Sequence, residues 1–139
     1  MEPAALVANR TFDEIRVGDT ERLSRTISKS DIDIYGAVSG GANPVQSEAD
    51  PQRGARFEGI AAHSILTAGM ISNLLGTRLP GPGTVYVGQN LRFERSVVAV
   101  DRVEVSITAR EKRAADNSVL FDCCCINQNG DTVLSGTAE

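Results

Sequence analysis

Histidine and tryptophan are nearly missing from this chain. Its 139 residues include one histidine, His63, no tryptophan and 4% aromatic residues. A single histidine excludes metal sites that are built from several histidines. No stretch approaches the roughly 20 consecutive apolar residues of a membrane-spanning helix, and residues 1–10 lack the basic-then-apolar order of a signal peptide. We therefore expect a cytoplasmic protein with no membrane partner.

An excess of positive charge is also lacking. The chain has 14 Lys and Arg against 18 Asp and Glu, a formal net charge of -4, and its basic residues are scattered. Because binding to a phosphate backbone needs clustered cations, we expect no nucleic-acid partner. The hydrophobic and charged fractions, 41% and 23%, are typical of a globular protein. The length predicts a single domain over residues 1–139.

Cysteine is scarce, and its three occurrences are consecutive: Cys123, Cys124 and Cys125. Neighbouring residues on a strand point to opposite faces, so these thiols cannot easily pair with one another. Zinc sites use spaced Cys or His ligands, which this run does not offer. We predict that the three are small buried apolar residues, as suits a reducing compartment, and that they hold no metal.

The first half of the chain predicts a short strand, a helix and an irregular segment. Loose alternation over residues 21–28 predicts the strand. Ser30 is the predicted N-cap of the helix, which Gly40 and Gly41 end. Residues 40–58 hold Gly, Pro, Asn, Asp and Ser at high density, which predicts an irregular segment. Irregular segments of this length inside a small domain are usually functional.

The second half predicts one buried helix and four strands. Residues 60–75 are apolar or small almost all round, which predicts a helix buried on most sides and closed by Gly76. Alternation predicts strands over residues 84–93, 103–110, 119–127 and 132–138, the last two joined by a hairpin at Asn129-Gly130. We predict an α+β fold in which a curved antiparallel sheet wraps one long central helix. Because an exposed sheet edge invites pairing, we expect a homodimer.

Six segments occur in the order and spacing of a known family. They are residues 9–15, 17–19, 39–44, 62–63, 75–84 and 86–93. In these segments, which extend over nearly the whole chain, the sequence resembles the MaoC-like, (R)-specific enoyl-CoA hydratases. Its opening is most like the hydratase domain that is fused ahead of a phosphate acetyltransferase. On that resemblance, the chain is expected to be the N-terminal part of a larger protein.

The resemblance implies a hot-dog fold and a reaction on acyl thioesters. Members add water to trans-2-enoyl thioesters of CoA or acyl carrier protein, or remove it from (R)-3-hydroxyacyl thioesters, with no metal or redox cofactor. The expected partner is therefore an acyl-CoA or acyl-carrier-protein thioester. The chemistry needs a base to activate water, an acid to protonate C2, and backbone N–H donors at a helix start to hold the thioester oxygen.

The sequence departs from the family's pattern at the acid and the base. The family's Asp position is Gly41 and its His position, five residues later, is Gln46, while Asn43 keeps the register of the motif and is implied to bind substrate. Neither glycine nor glutamine exchanges a proton near neutral pH. We predict impaired hydratase activity, since each lost proton-transfer group typically costs about 10²–10⁴-fold in rate.

Three residues near the central helix complete the implied site. Ser64 stands where the family has glycine, and its backbone N–H is the implied oxyanion donor. His63 and Ser72 are implied to bind substrate. From the residues alone, a lone histidine beside an apolar helix is more often a hydrogen-bonded structural residue, and the Ser72 hydroxyl could equally bond a carbonyl one turn back.

Two other functions stay open. One is non-catalytic: the silent partner of an active subunit, or a structural module that binds thioesters. The other is a different reaction such as thioester hydrolysis, which needs a substitute carboxylate. The candidates for that carboxylate are Asp31, Asp33, Glu48 and Asp50. Acids at helix N-termini and on surfaces are usually solvated, which disfavours this second function.

Overall fold

The computed structural model describes residues 9–40, 62 and 64–139. In chain order, the elements within them are a 3-10 helix Phe12–Glu14, β1 Thr20–Thr26, α1 Lys29–Ser39, α2 Ser64–Thr77, β2 Gln89–Phe93, β3 Arg102–Arg113, β4 Ser118–Ile126 and β5 Thr132–Ala138. The strands form one antiparallel sheet in the order β1-β3-β4-β5-β2. The predicted α+β class is confirmed. No helix among the described residues is both long and apolar enough to cross a membrane.

Strand β3 supplies much of the apolar surface of the sheet. Val103, Val105, Ile107 and Ala109 are buried and alternate with more exposed polar residues, as the sequence predicts. Because β3 pairs with β1 on one side and with β4 on the other, these buried residues belong to an interior strand of the sheet. Helix α2 packs against β3 and β1. The core therefore forms between this helix and one face of the sheet.

One side of α2 is buried and the other is exposed. The buried residues are Thr67, Ala68, Met70, Ile71, Leu74 and Leu75. The exposed side includes Gly69, Ser72 and Ile65, which is 44% exposed, and Ser64 is exposed because it is the first residue of the helix. The prediction of burial on most sides is therefore wrong for this single chain, because the sheet covers only one side. The helix also continues through Gly76 to Thr77, so Gly76 does not end it.

Helix α1 begins two residues earlier than predicted. Its N-cap is Ser28, whose hydroxyl accepts from the Asp31 N–H at 3.0 Å, while the Asp31 carboxylate accepts from the Ser28 N–H at 2.9 Å. This reciprocal pair satisfies two backbone donors and sets the helix start, so Ser30 lies inside the helix. The predicted stop is confirmed, since Gly40 is left-handed, with φ 76°.

Strand β2 is shorter than the predicted strand over residues 84–93. Only Gln89–Phe93 pairs with β5, where Gln89 lies opposite Ala138. Upstream of it, the N–H groups of Val87 and Gly88 donate to the Glu139 carbonyl at 2.8 and 3.3 Å. Residues 84–88 keep the apolar alternation, but they lie beyond Ala138, the last residue of β5 that pairs with β2.

The hairpin between β4 and β5 forms where the sequence predicts it. The Asn127 Oδ1 accepts from the N–H groups of Asn129 and Asp131, both at 3.0 Å. Gly130 supplies the positive φ of 80° that the turn requires. This turn aligns β4 with β5 over nearly the whole length of β5.

The three cysteines lie on β4 with their thiols unpaired. Cys123 and Cys125 are buried on one face and Cys124 is half-buried on the other, which confirms the predicted alternation. Burial raises the pKa of both Cys123 and Cys125 to about 12, so these thiols stay neutral at physiological pH. Cys123 and Cys125 act as small apolar core residues, whereas the prediction of burial is wrong for Cys124.

Candidate active site

The structure places two of the six predicted site residues, both on α2. Ser64 is the first residue of the helix and Ser72 lies eight residues later, and both are exposed. At a rise of about 1.5 Å per residue, they lie roughly 12 Å apart along the helix axis. Around the helix axis they lie about 80° apart, and Ser64 is exposed because it begins the helix.

The other four predicted residues, Gly41, Asn43, Gln46 and His63, lie outside the described residues. Two of the proposed substitute carboxylates, Glu48 and Asp50, lie there as well. The described chain reaches Gly40 at the end of α1 and resumes at Ala62 and Ser64. Whether the four residues meet near the start of α2 therefore stays a prediction.

The start of α2 is anchored on both sides of Ser64. The Ala62 N–H donates to the Val97 carbonyl at 2.7 Å, which ties the approach to the helix to the segment before β3. The Thr67 hydroxyl donates to the Ser64 carbonyl at 2.7 Å. The first N–H groups of an α-helix have no intrahelical acceptor and carry its positive dipole end. This helix start can therefore stabilise negative charge that develops on a ligand oxygen.

Asp31 is committed to structural contacts. Its Oδ2 accepts from the Ser28 N–H and its Oδ1 accepts from Arg25 Nη2 at 2.6 Å. The Ser28 N–H, together with the Arg25 charge, lowers the pKa of this carboxyl. Asp33 is exposed and pairs with Lys29 at 3.3 Å. Both oxygens of Asp31 and the carboxylate of Asp33 are thus engaged in contacts within the first strand and helix.

A cavity of 390 Å³ lies beyond the far end of α2. Three segments far apart in sequence border it. They are residues 9–15, residues 80–87 and residues 116–121, together with Leu75 and Glu139. The Asn9 Nδ2 donates to the Pro82 carbonyl at 2.7 Å and the Arg10 N–H donates to the Pro80 carbonyl at 2.8 Å, which joins the first two segments.

The inner wall of this cavity is apolar. Ile15, Leu75 and Phe121 are buried and face it, and half-buried Phe12 and Tyr86 line it as well. The Tyr86 hydroxyl donates to Gln89 Oε1 at 2.6 Å, and burial raises the pKa of Tyr86 to about 12. A neutral phenol and apolar side chains suit an uncharged hydrocarbon group.

A second, more open cavity of 370 Å³ lies between the two helices. Tyr35 and Val38 of α1 face Leu66 and Met70 of α2 across it. Val38 on this wall is 82% exposed, whereas Met70 is buried. This groove adjoins the two helix ends that bracket residues 41–61.

The MaoC like domain family model matches residues 15–123 of the chain. The chain belongs to the MaoC-like hydratase family. Its relatives include an (R)-specific enoyl-CoA hydratase of Rhodospirillum rubrum, 37% identical over 91% of this chain and 88% of the relative. A 3-hydroxybutyryl-CoA dehydratase of Methylorubrum extorquens is 37% identical over 91% of this chain and 80% of its own length.

Solved structures agree with this MaoC-like assignment. An R-hydratase from Pseudomonas aeruginosa superposes with a TM-score of 0.88 at 36% identity, covering 94% of this chain and 83% of that chain. The (R)-hydratase from A. caviae superposes with a TM-score of 0.84 at 28% identity, covering 89% and 94%. The predicted hot-dog fold is confirmed.

The cavity of the MaoC-like chain is the part of the candidate site that the sequence did not predict. Two of its three bordering segments, residues 9–15 and 80–84, carry the family resemblance, but their contact is visible only in the folded chain. Among the described residues, no group of three or more His, Cys, Asp or Glu side chains is placed to hold a metal ion.

Proposed function

We propose that this MaoC-like chain binds acyl thioesters of CoA or acyl carrier protein, with the thioester carbonyl at the start of α2 and the acyl chain in the 390 Å³ cavity. The observation that carries the proposal is the alignment of these two features along one helix. Leu75, which lines the cavity, follows Ser64 by eleven residues, which is about three turns or roughly 16 Å. Both therefore lie on nearly the same line of the helix.

The apolar wall favours this cavity over the groove between the helices. Burying an acyl chain against Ile15, Leu75 and Phe121 removes hydrocarbon from water, which contributes roughly 0.8 kcal/mol per methylene. In the groove, Ile34 and Val38 are 62% and 82% exposed, and the charged residues Arg25 and Asp31 also line it.

We further propose that hydration is impaired. Addition of water at C3 needs a base, and protonation at C2 needs an acid. Gly41 has no side chain and the Gln46 amide does not titrate near neutral pH, so neither position supplies a proton carrier. The Ser64 N–H could still polarise the thioester carbonyl, which supports binding without turnover.

A homodimer in the cytoplasm completes the proposal. Strand β2 is at one edge of the described sheet, and apolar side chains at or near this edge are exposed. They are Val85, Val87 and Phe93. Pairing of this edge with a second copy would cover these side chains and the unpaired backbone groups.

The test compares the unmodified chain with the double variant Gly41→Asp, Gln46→His. Binding of tetradecanoyl-CoA, a saturated thioester that cannot be hydrated and whose extended chain is long enough to reach the cavity, is measured by calorimetry, and hydration of crotonyl-CoA by loss of the enoyl absorbance. We expect both proteins to bind tetradecanoyl-CoA and only the double variant to hydrate crotonyl-CoA. Robust turnover by the unmodified chain would contradict the impaired site. Absence of binding by both would favour the silent-partner or structural role.

A further inference from the structure

Asp101 closes the turn that leads into β3. Its Oδ2 accepts from the Val98 N–H at 2.9 Å, and its own N–H donates to the Val98 carbonyl at 3.1 Å. Its Oδ1 accepts from Gln128 Nε2 at 2.8 Å. The two oxygens of this carboxylate therefore join the turn of residues 98–101 to the hairpin between β4 and β5.

The partners of Asp101 are fixed in turn. The Oε1 of Gln128 accepts from the Arg102 N–H at 3.1 Å, so its Nε2 is the end that faces Asp101. The main chain of Asp101 is held as well, because its carbonyl accepts from the Ile27 N–H at 2.9 Å. A carboxylate can accept from Val98 and Gln128 at once, whereas an amide offers one oxygen.

The turn begins next to the contact that holds the approach to α2. The carbonyl of Val97, a buried residue, accepts from the Ala62 N–H at 2.7 Å. Ser64, the first residue of α2, follows Ala62 by two residues. The direction of the Val97 carbonyl therefore determines where the chain enters this helix.

One peptide group links the two contacts. The Val97 carbonyl and the Val98 N–H belong to the same peptide unit, which is planar, so in its usual trans form they point in opposite directions. Asp101 holds the N–H at one edge of this unit, and Ala62 is bound at the other edge. By holding the Val98 N–H, the carboxylate also sets the direction of the Val97 carbonyl.

We propose that Asp101 is a positioning residue for the start of α2, and that through the Val97–Val98 peptide it sets how the Ser64 N–H meets the oxygen of a bound thioester. The inference rests on the proposed binding of the thioester carbonyl at this helix start. Hydrogen bonds weaken steeply as their angle departs from linearity. Loss of Asp101 therefore reduces what the carbonyl contributes to binding and leaves the contribution of the acyl chain unchanged.

The test compares two ligands that differ only at the carbonyl. Tetradecanoyl-CoA is the thioester, and S-tetradecyl-CoA is the thioether that has a methylene in place of the carbonyl. The affinities of both are measured by calorimetry for each variant, and their ratio is compared with the ratio for the unmodified chain. Because differences in hydration between the two ligands cancel in this comparison, it reports the carbonyl contact alone.

Asp101→Ala removes both contacts of the carboxylate. We expect the thioester-to-thioether ratio to fall roughly threefold to tenfold, as for the loss of one hydrogen bond, while the affinity for the thioether stays within about twofold. A merely structural role would lower both affinities together, or the stability of the chain, and would leave the ratio unchanged.

Asp19→Ala is the matched control. Asp19 forms the same kind of turn before β1, where its Oδ2 accepts from the Arg16 N–H at 2.8 Å and its N–H donates to the Arg16 carbonyl at 3.0 Å. Within the described part of the chain, no hydrogen bond of the turn of residues 16–19 reaches α2. The ratio should therefore be that of the unmodified chain.

Two milder variants decide the matter if Asp101→Ala does not fold. Asp101→Asn keeps an oxygen for the Val98 N–H and loses the acceptor for Gln128, and Gln128→Ala loses that same contact from the exposed hairpin. Both should lower the ratio by a similar, smaller factor. An unchanged ratio in Gln128→Ala and in every Asp101 variant that folds, with both ligands bound, would overturn the positioning role and leave the proposed function standing. If the unmodified chain binds neither ligand, the proposed function and this inference fall together.

Discussion

Gly136 of β5 lies so close to the backbone of Asn90 in β2 that no side chain fits between them. A Cβ at this position would meet the Asn90 carbonyl oxygen and would come within 2.9 Å of the Leu91 Cα. Gly136 also has φ 150°, a backbone conformation that side chains disfavour. The edge of the sheet therefore depends on this glycine.

Gly136→Ala should destabilise the chain by roughly 1–3 kcal/mol, because the added methyl forces β2 away from β5. Denaturation by urea, followed by circular dichroism, measures the change. The matched control is Gly69→Ala on the exposed side of α2, where a Cβ meets nothing within 4 Å. That control should gain up to about 1 kcal/mol from better helix propensity. Equal stability of Gly136→Ala and the unmodified chain would contradict the close approach.

Val100 is a β-branched residue in a left-handed conformation, with φ 71°. Its N–H donates to the Ile27 carbonyl at 2.7 Å, and its side chain is 79% exposed, so it gains little from packing. Val100→Gly should stabilise the chain by about 1 kcal/mol, since the left-handed region costs roughly 1–2 kcal/mol for a side chain, part of which glycine's unfolded-state entropy offsets. Thermal unfolding measures it. The stability of Val100→Asn should lie between that of the unmodified chain and that of Val100→Gly. A loss of stability in both variants would argue against strain at this turn.

The N-cap of α1 can be tested with two serines that are two residues apart. Ser28→Ala removes the hydroxyl that accepts from the Asp31 N–H and should cost about 1 kcal/mol of unfolding free energy. Ser30→Ala changes an exposed position inside the helix and should be neutral or slightly stabilising, because alanine is the better helix former. Both are measured by urea denaturation. If Ser30→Ala were the more destabilising of the two variants, Ser30 would be the cap instead.

Asp31 should make stability depend on pH in the acid range. The pKa of its carboxyl lies below the usual 3.8, first because it accepts from the Ser28 N–H and also because Arg25 is adjacent. A lowered folded-state pKa means that the stabilisation is present above the unfolded pKa and is lost as pH falls through the folded one. Urea denaturation from about pH 6 down to about pH 2 should therefore show Asp31→Asn approaching the unmodified chain as pH falls. A difference that stays constant with pH would contradict the assignment.

Arg25→Gln separates the two causes. It removes the cation that pairs with Asp31 Oδ1 at 2.6 Å and leaves the capping contact with Ser28 intact. The acid-induced loss of stability should then begin at higher pH than in the unmodified chain, because less of the carboxylate's stabilisation remains. If the pH at which stability is lost does not change, the lowered pKa is due to the capping contact alone.

The parts of the fold that the sequence predicted are those set by local pattern. The alternation of Val103, Val105 and Ile107 marked a half-buried strand, and Asn129-Gly130 marked a hairpin, because side-chain direction and turn geometry follow from adjacent residues. Element ends were less accurate. Ser30 and Ser28 are both acceptable caps, and only the reciprocal contact with Asp31 distinguishes them.

The candidate site also has one part that follows from local sequence and one part that does not. Ser64 and Ser72 could be placed on one helix because their spacing along the chain determines their spacing in space. The cavity could not be predicted, since Ile15, Leu75 and Phe121 meet only after the sheet has formed.

The strand order has a consequence for the growing polypeptide. β3, β4 and β5 are neighbours both along the chain and in the sheet, whereas β2 is made before all three and pairs only with β5. On the ribosome, β2 therefore has only water as a partner for its backbone groups until β5 has been synthesised. During that interval the nascent chain has an unpaired strand beside Val85 and Val87, a combination that favours aggregation.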